Sequence, residues 1–295
     1  MPYKFCKVLE PKGTRFGGHL LVVTLNRPAV RNALHNEAHA ELSRVFDYFD
    51  RADHLWCAIL TGAGSAFCAG FDLKSAMATA GDAVGRKSDI DPSAEPDQTG
   101  CRGGSGFAGL AERRGRIKPI IAAVNGVAHG GGFEAALACD IIVAAERADF
   151  ALPEPRVGLV ALAGGMIRLP RLIGYHAAME MMLTARRVSA LEGQRLGFVQ
   201  RVVLAGSSHS VVEEAMRIVD AILKCSPDSI QATVEVARRS LAEADALDSN
   251  DAITLQRTYP TVERLYDGSN VLEGPAAFAE KRAPNWGDPE SLSRL

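Results

Sequence analysis

The chain has 295 residues, 47% of them hydrophobic, with 33 lysines and arginines against 35 aspartates and glutamates. That length is ample for a buried core in one large domain or two modest ones, and a net charge of −2 gives no global field to attract nucleic acid or an anionic membrane. No run approaches the ~18–20 consecutive apolar residues of a membrane span, no apolar signal segment opens the chain, and the cysteines at 6, 57, 68, 101, 139 and 225 form no C-x-x-C pair, so a soluble, cytoplasmic protein without a zinc or disulfide scaffold is expected.

Tyr3 to Leu9 and His19 to Leu25 read as strands, separated by a turn segment from Pro11 to Gly18. Asn26-Arg27-Pro28 ends the second, because proline has no amide to give a ladder. From Glu37 to Asp53, Leu42, Val45, Phe46 and Phe49 recur at helical spacing. Leu55 to Leu60 reads as a buried strand and Thr61 to Gly70 as a glycine-rich turn. Ile120 to Val124 and Ile141 to Ala145 are two further strands, with a glycine-led helix between them. This alternation predicts an α/β core. Gly81 to Gly109 carries few large apolar groups and reads as a long flexible loop or lid, an insertion over 80–109.

Beyond Gly165 the pattern turns mostly helical. Ser189 and Glu192 have capping-box spacing, and Ser226-Pro227 reads as a cap with proline at the first helical position. Helices are expected near 208–224, 228–244, 250–266 and 271–281. The chain thus divides into a core over 1–206 and a helical unit over 207–295.

Several segments carry candidate chemistry. Gly104-x-Gly106-x-x-Gly109 has the letters of a dinucleotide fingerprint, yet it follows Asp97-Gln98-Thr99 rather than a strand and reads as a glycine-rich loop. His129-Gly130-Gly131-Gly132 resembles a lipase oxyanion segment, but the chain has no G-x-S-x-G elbow. Glu134 is the only charge between Lys118 and Asp140. A carboxylate in such apolar surroundings is costly unless it works or is paired. The glycines before it free backbone amides at a helix start, where negative charge is favoured. On these residues alone a working carboxylate and an acid at a tight surface turn remain equally open. Glu154 sits between Pro153 and Pro155, restraints that aim a side chain, though an ordinary polar loop residue fits as well.

Taken together, Asn26-Arg-Pro-x-x-Arg-Asn-Ala-Leu34, Ala66-Phe-Cys-Ala-Gly-Phe-Asp-Leu-Lys74, Val124-Asn-Gly-Val-Ala-His-Gly-Gly-Gly-Phe-Glu134, Cys139-Asp-Ile-Ile142 and Phe150-Ala-Leu-Pro-Glu154 resemble the crotonase superfamily, and its enoyl-CoA hydratases most of all. Order and spacing agree over roughly residues 3 to 284. The resemblance implies an α/β spiral of repeated ββα units with a C-terminal helical region that builds a homotrimer, often paired into a dimer of trimers. It implies Phe71 and Gly131 as the oxyanion-hole amides for an acyl-CoA thioester. Glu134 and Glu154 would be the catalytic pair, holding one water against C2=C3. Ala69, Asp72, Leu73 and Lys74 would lie along the CoA-binding groove.

No metal and no cofactor beyond the substrate's own coenzyme A are implied, nor any nucleic-acid or membrane partner. Isomerases, hydrolases and decarboxylases of the superfamily commonly replace one or both glutamates, so keeping both favours a hydratase in β-oxidation-type chemistry. One departure stands out: where hydratases read P-G-A-G-G-T, this chain reads Ala161-Leu-Ala-Gly-Gly-Met166. Leucine at a position of positive φ would be strained, or the loop would shift. An isomerase, a specialised hydroxyacyl-CoA dehydratase and a non-catalytic acyl-CoA binder are the alternatives.

Overall fold

The computed structural model describes residues 3–11, 15–73, 105–243 and 256–289. The core grows from strands handed alternately to two sheets. Strands β1 (Cys6–Leu9), β2 (Leu20–Leu25), β3 (Cys57–Gly62), β5 (Ile120–Val124), β7 (Ile141–Ala145) and β10 (Arg201–Val203) form the first sheet in that spatial order. Strands β4 (Ala66–Cys68), β6 (Val127–His129), β8 (Asp149–Ala151) and β9 (Val188–Ser189) form the second. Each turn of chain, β3 to β4, β5 to β6 and β7 to β8, gives one strand to each sheet, the spiral that the resemblance implies.

Val23, Leu60, Ala122 and Ile142 lie in register across the first sheet. They face the main core, with Phe46 and Phe49 of helix α1 (Asn36–Arg51). The alternate residues Val22, Ile59, Ile121 and Val143 face helix α6 (Val211–Ile222) through Ala215, Ile218 and Val219. Both faces are covered, which is why these strands read as continuous apolar runs rather than alternating ones.

The corners between sheets are tight. A Cβ on Gly62 would lie 2.3 Å from the Ala66 carbonyl, and one on Gly126 would come closer still to the Ser65 carbonyl. Buried Asn32 and Asn125 donate to carbonyls of the 63–66 corner and so satisfy backbone groups that no ladder reaches.

Two expectations are corrected. The first strand starts at Cys6, because the amides of Lys4, Phe5 and Cys6 donate to the buried Glu41 carboxylate and are thereby drawn to α1. Ser189 does cap helix α5 (Ala190–Leu196), but Glu192 turns to Arg186 at 2.8 Å, and the reciprocal capping box belongs to Ser210 and Glu213 at α6. Helices α2 (Gly131–Ala138), α3 (Gly165–Ile173) and α4 (Tyr175–Thr184) surround the second sheet, while α7 (Pro227–Glu243), α8 (Pro260–Asp267) and α9 (Asn270–Glu280) complete the C-terminal part. Among the described residues no helix is long and apolar enough to cross a membrane.

Candidate active site

Three parallel strands of the second sheet, β4, β6 and β8, end side by side, and each releases a candidate residue just beyond its end. Past β4 come Ala69, Gly70 and Phe71. The bridge between Leu34 and Phe71 is closed by the amides of Leu34 and Asp72, so the Phe71 N–H is skipped. Gly70 has φ +101°, and a Cβ there would lie 2.8 Å from the His129 carbonyl and 3.4 Å from the Gly131 nitrogen. Only glycine lets the two backbones come so close.

Past β6, Gly130 turns the chain with φ +53° and Gly131 begins α2. The Gly131 amide is at the first helical position, where no carbonyl lies one turn back to accept it. The Phe71 and Gly131 amides thus lie on adjacent backbones, unused by the regular structure. A Cβ on Gly132 would sit on the Cys68 carbonyl, so the helix start is pressed against the end of β4.

All eight residues of α2 are buried, including Glu134. Its Oε1 accepts from the Gly165 amide at 2.8 Å, at the N-terminus of α3. A Cβ on Gly165 would lie 3.0 Å from that same oxygen. Burial pushes the Glu134 carboxyl up to about 7; the neighbouring Glu154 charge adds to the rise, and the Gly165 amide opposes it.

Glu154 follows β8 and Pro153 and opens a short 3₁₀ turn. Its Oε1 stands 2.7 Å from where a Cβ of Gly130 would be, and its Oε2 is buried with no hydrogen-bond partner among the described residues. Burial raises this carboxyl too. The site therefore pairs two adjacent amide donors with two desolvated, mutually repelling carboxyls, of which one oxygen is unsatisfied. A water between the carboxyls would satisfy it, and such a pair holds a proton near neutral pH.

Asp72 is engaged elsewhere: its Oδ2 pairs with Arg27 Nη1 at 3.0 Å. The Ala69 amide donates to the Arg31 carbonyl, and Leu73 is exposed. Lys74 and Gly104 lie outside the described residues, as does most of the 80–109 insertion. Leu162 is not strained. Its φ is negative, its N–H donates to the Val160 carbonyl, and the left-handed conformation falls on Gly164 at +99°. The leucine side chain points outward.

Three contributors escaped the sequence reading. Arg168 donates to the Ala163 and Ala111 carbonyls and so clamps the loop that presents Gly165. Phe107 lays its ring where a Cβ of Gly131 would be. His39, on α1, packs its ring against Phe107 and Phe71. Phe107 gave a signal only as an aromatic in a glycine-rich loop, and His39 gave none, since it is separated from the site by the whole of β3 and β4.

Residues 15–289 match the enoyl-CoA hydratase/isomerase family model. The chain is 43% identical over 272 residues to a mevalonyl-coenzyme A hydratase of Beauveria bassiana, covering 92% of each sequence. It is 38% identical over 275 residues to a carnitinyl-CoA dehydratase of Proteus mirabilis, covering 91% of this chain and 95% of that one. The crystal structure of an enoyl-CoA hydratase from Mycobacterium marinum superposes with a TM-score of 0.77 at 32% identity, over 97% of this chain and 99% of that one.

Proposed function

Because the chain belongs to the enoyl-CoA hydratase/isomerase family, we propose that it is a hydro-lyase that adds water reversibly across C2=C3 of an enoyl-CoA thioester. The observation that carries this reading is the retention of both Glu134, buried, and Glu154, partly buried with a raised pKa, beside two adjacent free amides. In this reading the Phe71 and Gly131 amides bind the thioester oxygen and stabilise the enolate charge that develops there. Glu134, held by the Gly165 amide, takes a proton from the water as its oxygen bonds to C3. Glu154 delivers a proton to C2. The reverse direction dehydrates a 3-hydroxyacyl-CoA with the roles exchanged. No redox group or metal is required.

The relatives named as acting on mevalonyl and carnitinyl thioesters favour a specialised, polar acyl group over a plain fatty chain. The groove residues Ala69, Asp72, Leu73 and Lys74 remain part of the proposal as the CoA side of the site. For Asp72 the Arg27 ion pair makes the role one of shaping the loop. We further infer a homo-oligomer of three or six copies, supported by the apolar side chains left exposed on α3, α4, α8 and α9.

The test is loss of the ultraviolet absorbance of crotonyl-CoA on mixing with the protein. Turnover should fall by about 10²–10⁴-fold in Glu154→Gln, the range for losing a general acid or base. Calorimetric binding of CoA thioesters with no absorbance loss, for crotonyl-CoA and for longer or polar enoyl-CoAs alike, would overturn the hydro-lyase reading.

A further inference from the structure

His39 Nδ1 accepts from the Ala108 amide at 3.1 Å, so the neutral ring carries its proton on Nε2. That N–H is buried and has no hydrogen-bond partner among the described residues. Burial holds the His39 pKa down to about 4, so the ring is a neutral donor across the physiological range. Its ring centroid lies 4.5 Å from that of Phe107 and 6.1 Å from that of Phe71, nearly parallel to the latter. Phe107 in turn covers Gly131. The orphan donor therefore stands in an aromatic wall built from the two residues beside the proposed oxyanion hole.

A buried N–H left without a partner is unfavourable, and a leucine in the same space would carry no such cost. The Nδ1 contact to Ala108 accounts for one ring nitrogen; the other has no hydrogen-bond partner among the described residues.

Resting on the acyl-CoA reading above, we propose that His39 Nε2–H is a specificity-determining donor to a polar oxygen on the acyl chain, beyond the reacting carbons, so that the enzyme selects oxygen-bearing chains over plain alkyl ones. A site built to hydrogen-bond a substrate group discriminates against the analogue lacking it, because the donor is then left bare.

The experiment is calorimetric binding of 4-oxopentanoyl-CoA and 5-oxohexanoyl-CoA beside pentanoyl-CoA and hexanoyl-CoA, on the full-length protein. None has a C2=C3 bond or a 3-hydroxyl, so none is hydrated or dehydrated, and the added carbonyl oxygen only accepts. Wild type should bind at least one oxo-acyl thioester about tenfold or more tightly than its alkyl match. His39→Phe should erase that preference while leaving the alkyl thioesters within about threefold, and His39→Gln, which keeps both an acceptor and a donor, should restore part of it. Equal binding of oxo and alkyl thioesters by wild type would overturn the assignment and leave the hydro-lyase reading standing. An equal loss for all four ligands in His39→Phe would also overturn it, as a clamp on Ala108 alone would do that. Failure of every thioester to bind wild type would instead sink the acyl-CoA reading, and this proposal with it.

Discussion

Glu134 shows what placing a carboxyl inside an all-buried helix does to both chemistry and stability. Its folded pKa is raised from 4.5 to about 7, mainly by desolvation. Between those two values the folded protein holds a proton that the unfolded chain has already lost, so the group's contribution to stability falls as pH rises through that window. Above pH 7 the penalty amounts to about 3 kcal/mol. Glu134→Gln keeps an oxygen for the Gly165 amide and removes the ionisation. The variant should be inactive yet unfold at higher urea than wild type at pH 8, with the difference shrinking towards pH 5. Equal urea midpoints at pH 8 would mean that Glu134 is not strained by burial. The same ionisation belongs in the rate: kcat/KM for hydration should climb with pH through about 7 as Glu134 becomes able to act as base, and fall again on the alkaline side where Glu154 loses the proton it delivers to C2. A pH-independent profile from 5 to 9 would assign the base elsewhere.

At the scale of elements, the site depends on how closely α2 approaches the end of β4. A Cβ on Gly132 would lie 2.1 Å from the Cys68 carbonyl, a backbone atom with no room to yield. Gly132→Ala should therefore push α2 away, cost at least about 3 kcal/mol of stability, and abolish turnover by displacing the Gly131 amide. Gly158 is the control. It has φ +72° but nothing within 4 Å of where a methyl group would stand, so Gly158→Ala should cost only about 1–2 kcal/mol and leave turnover intact. Denaturant midpoints and crotonyl-CoA assays on both variants separate the two effects, and similar losses in both would show that the α2–β4 contact is not what positions the site.

This geometry also marks where sequence reading succeeds and fails. Most of the first sheet was legible because β2, β3, β5 and β7 are apolar runs, though β10, only three residues long, was not, and α1 was legible because Leu42, Val45, Phe46 and Phe49 keep helical period. The second sheet was not: β4, β6 and β8 are three residues each, too short for any period, and β4 lies inside the 61–70 segment that reads as a turn. Glu134 and the glycines before it stood out as a lone charge at an apolar helix start, but their pairing with Glu154 and Phe71 was visible only through the spacing shared with a family. The partner of Glu134, the Gly165 amide, and the aromatic wall of His39 and Phe107 arise from packing between distant segments, which local pattern does not encode.

At the scale of the whole molecule, the C-terminal helices are joined by buried polar bonds rather than by a large apolar core. Asp228 accepts from Arg264 Nε at 3.1 Å and from Asn270 Nδ2 at 2.6 Å, while Gln231 accepts from Arg264 Nη2 at 2.6 Å. These contacts tie α7 to α8 and α9, and Asn270 exchanges hydrogen bonds with Gly287 in the terminal segment. The outer faces of the same helices expose Tyr266, Leu272 and Phe278, the last 89% accessible. In the proposed assembly, side chains of that size and number on two short helices would be covered by another copy. If copies of this chain cover it, the network sets the angle at which those side chains are presented. Asp228→Ala strips the buried Arg264 of its carboxylate, a change that costs about 3–5 kcal/mol where a buried pair loses one partner. Light scattering on wild type should then give three or six times the 31.4 kDa chain mass. Asp228→Ala and Phe278→Asp should each shift the population towards single chains, the second without lowering the stability of the isolated fold. A monomeric wild type at micromolar concentration would refute the assembly, and Phe278→Asp with unchanged mass would place the contact on α3 and α4 instead.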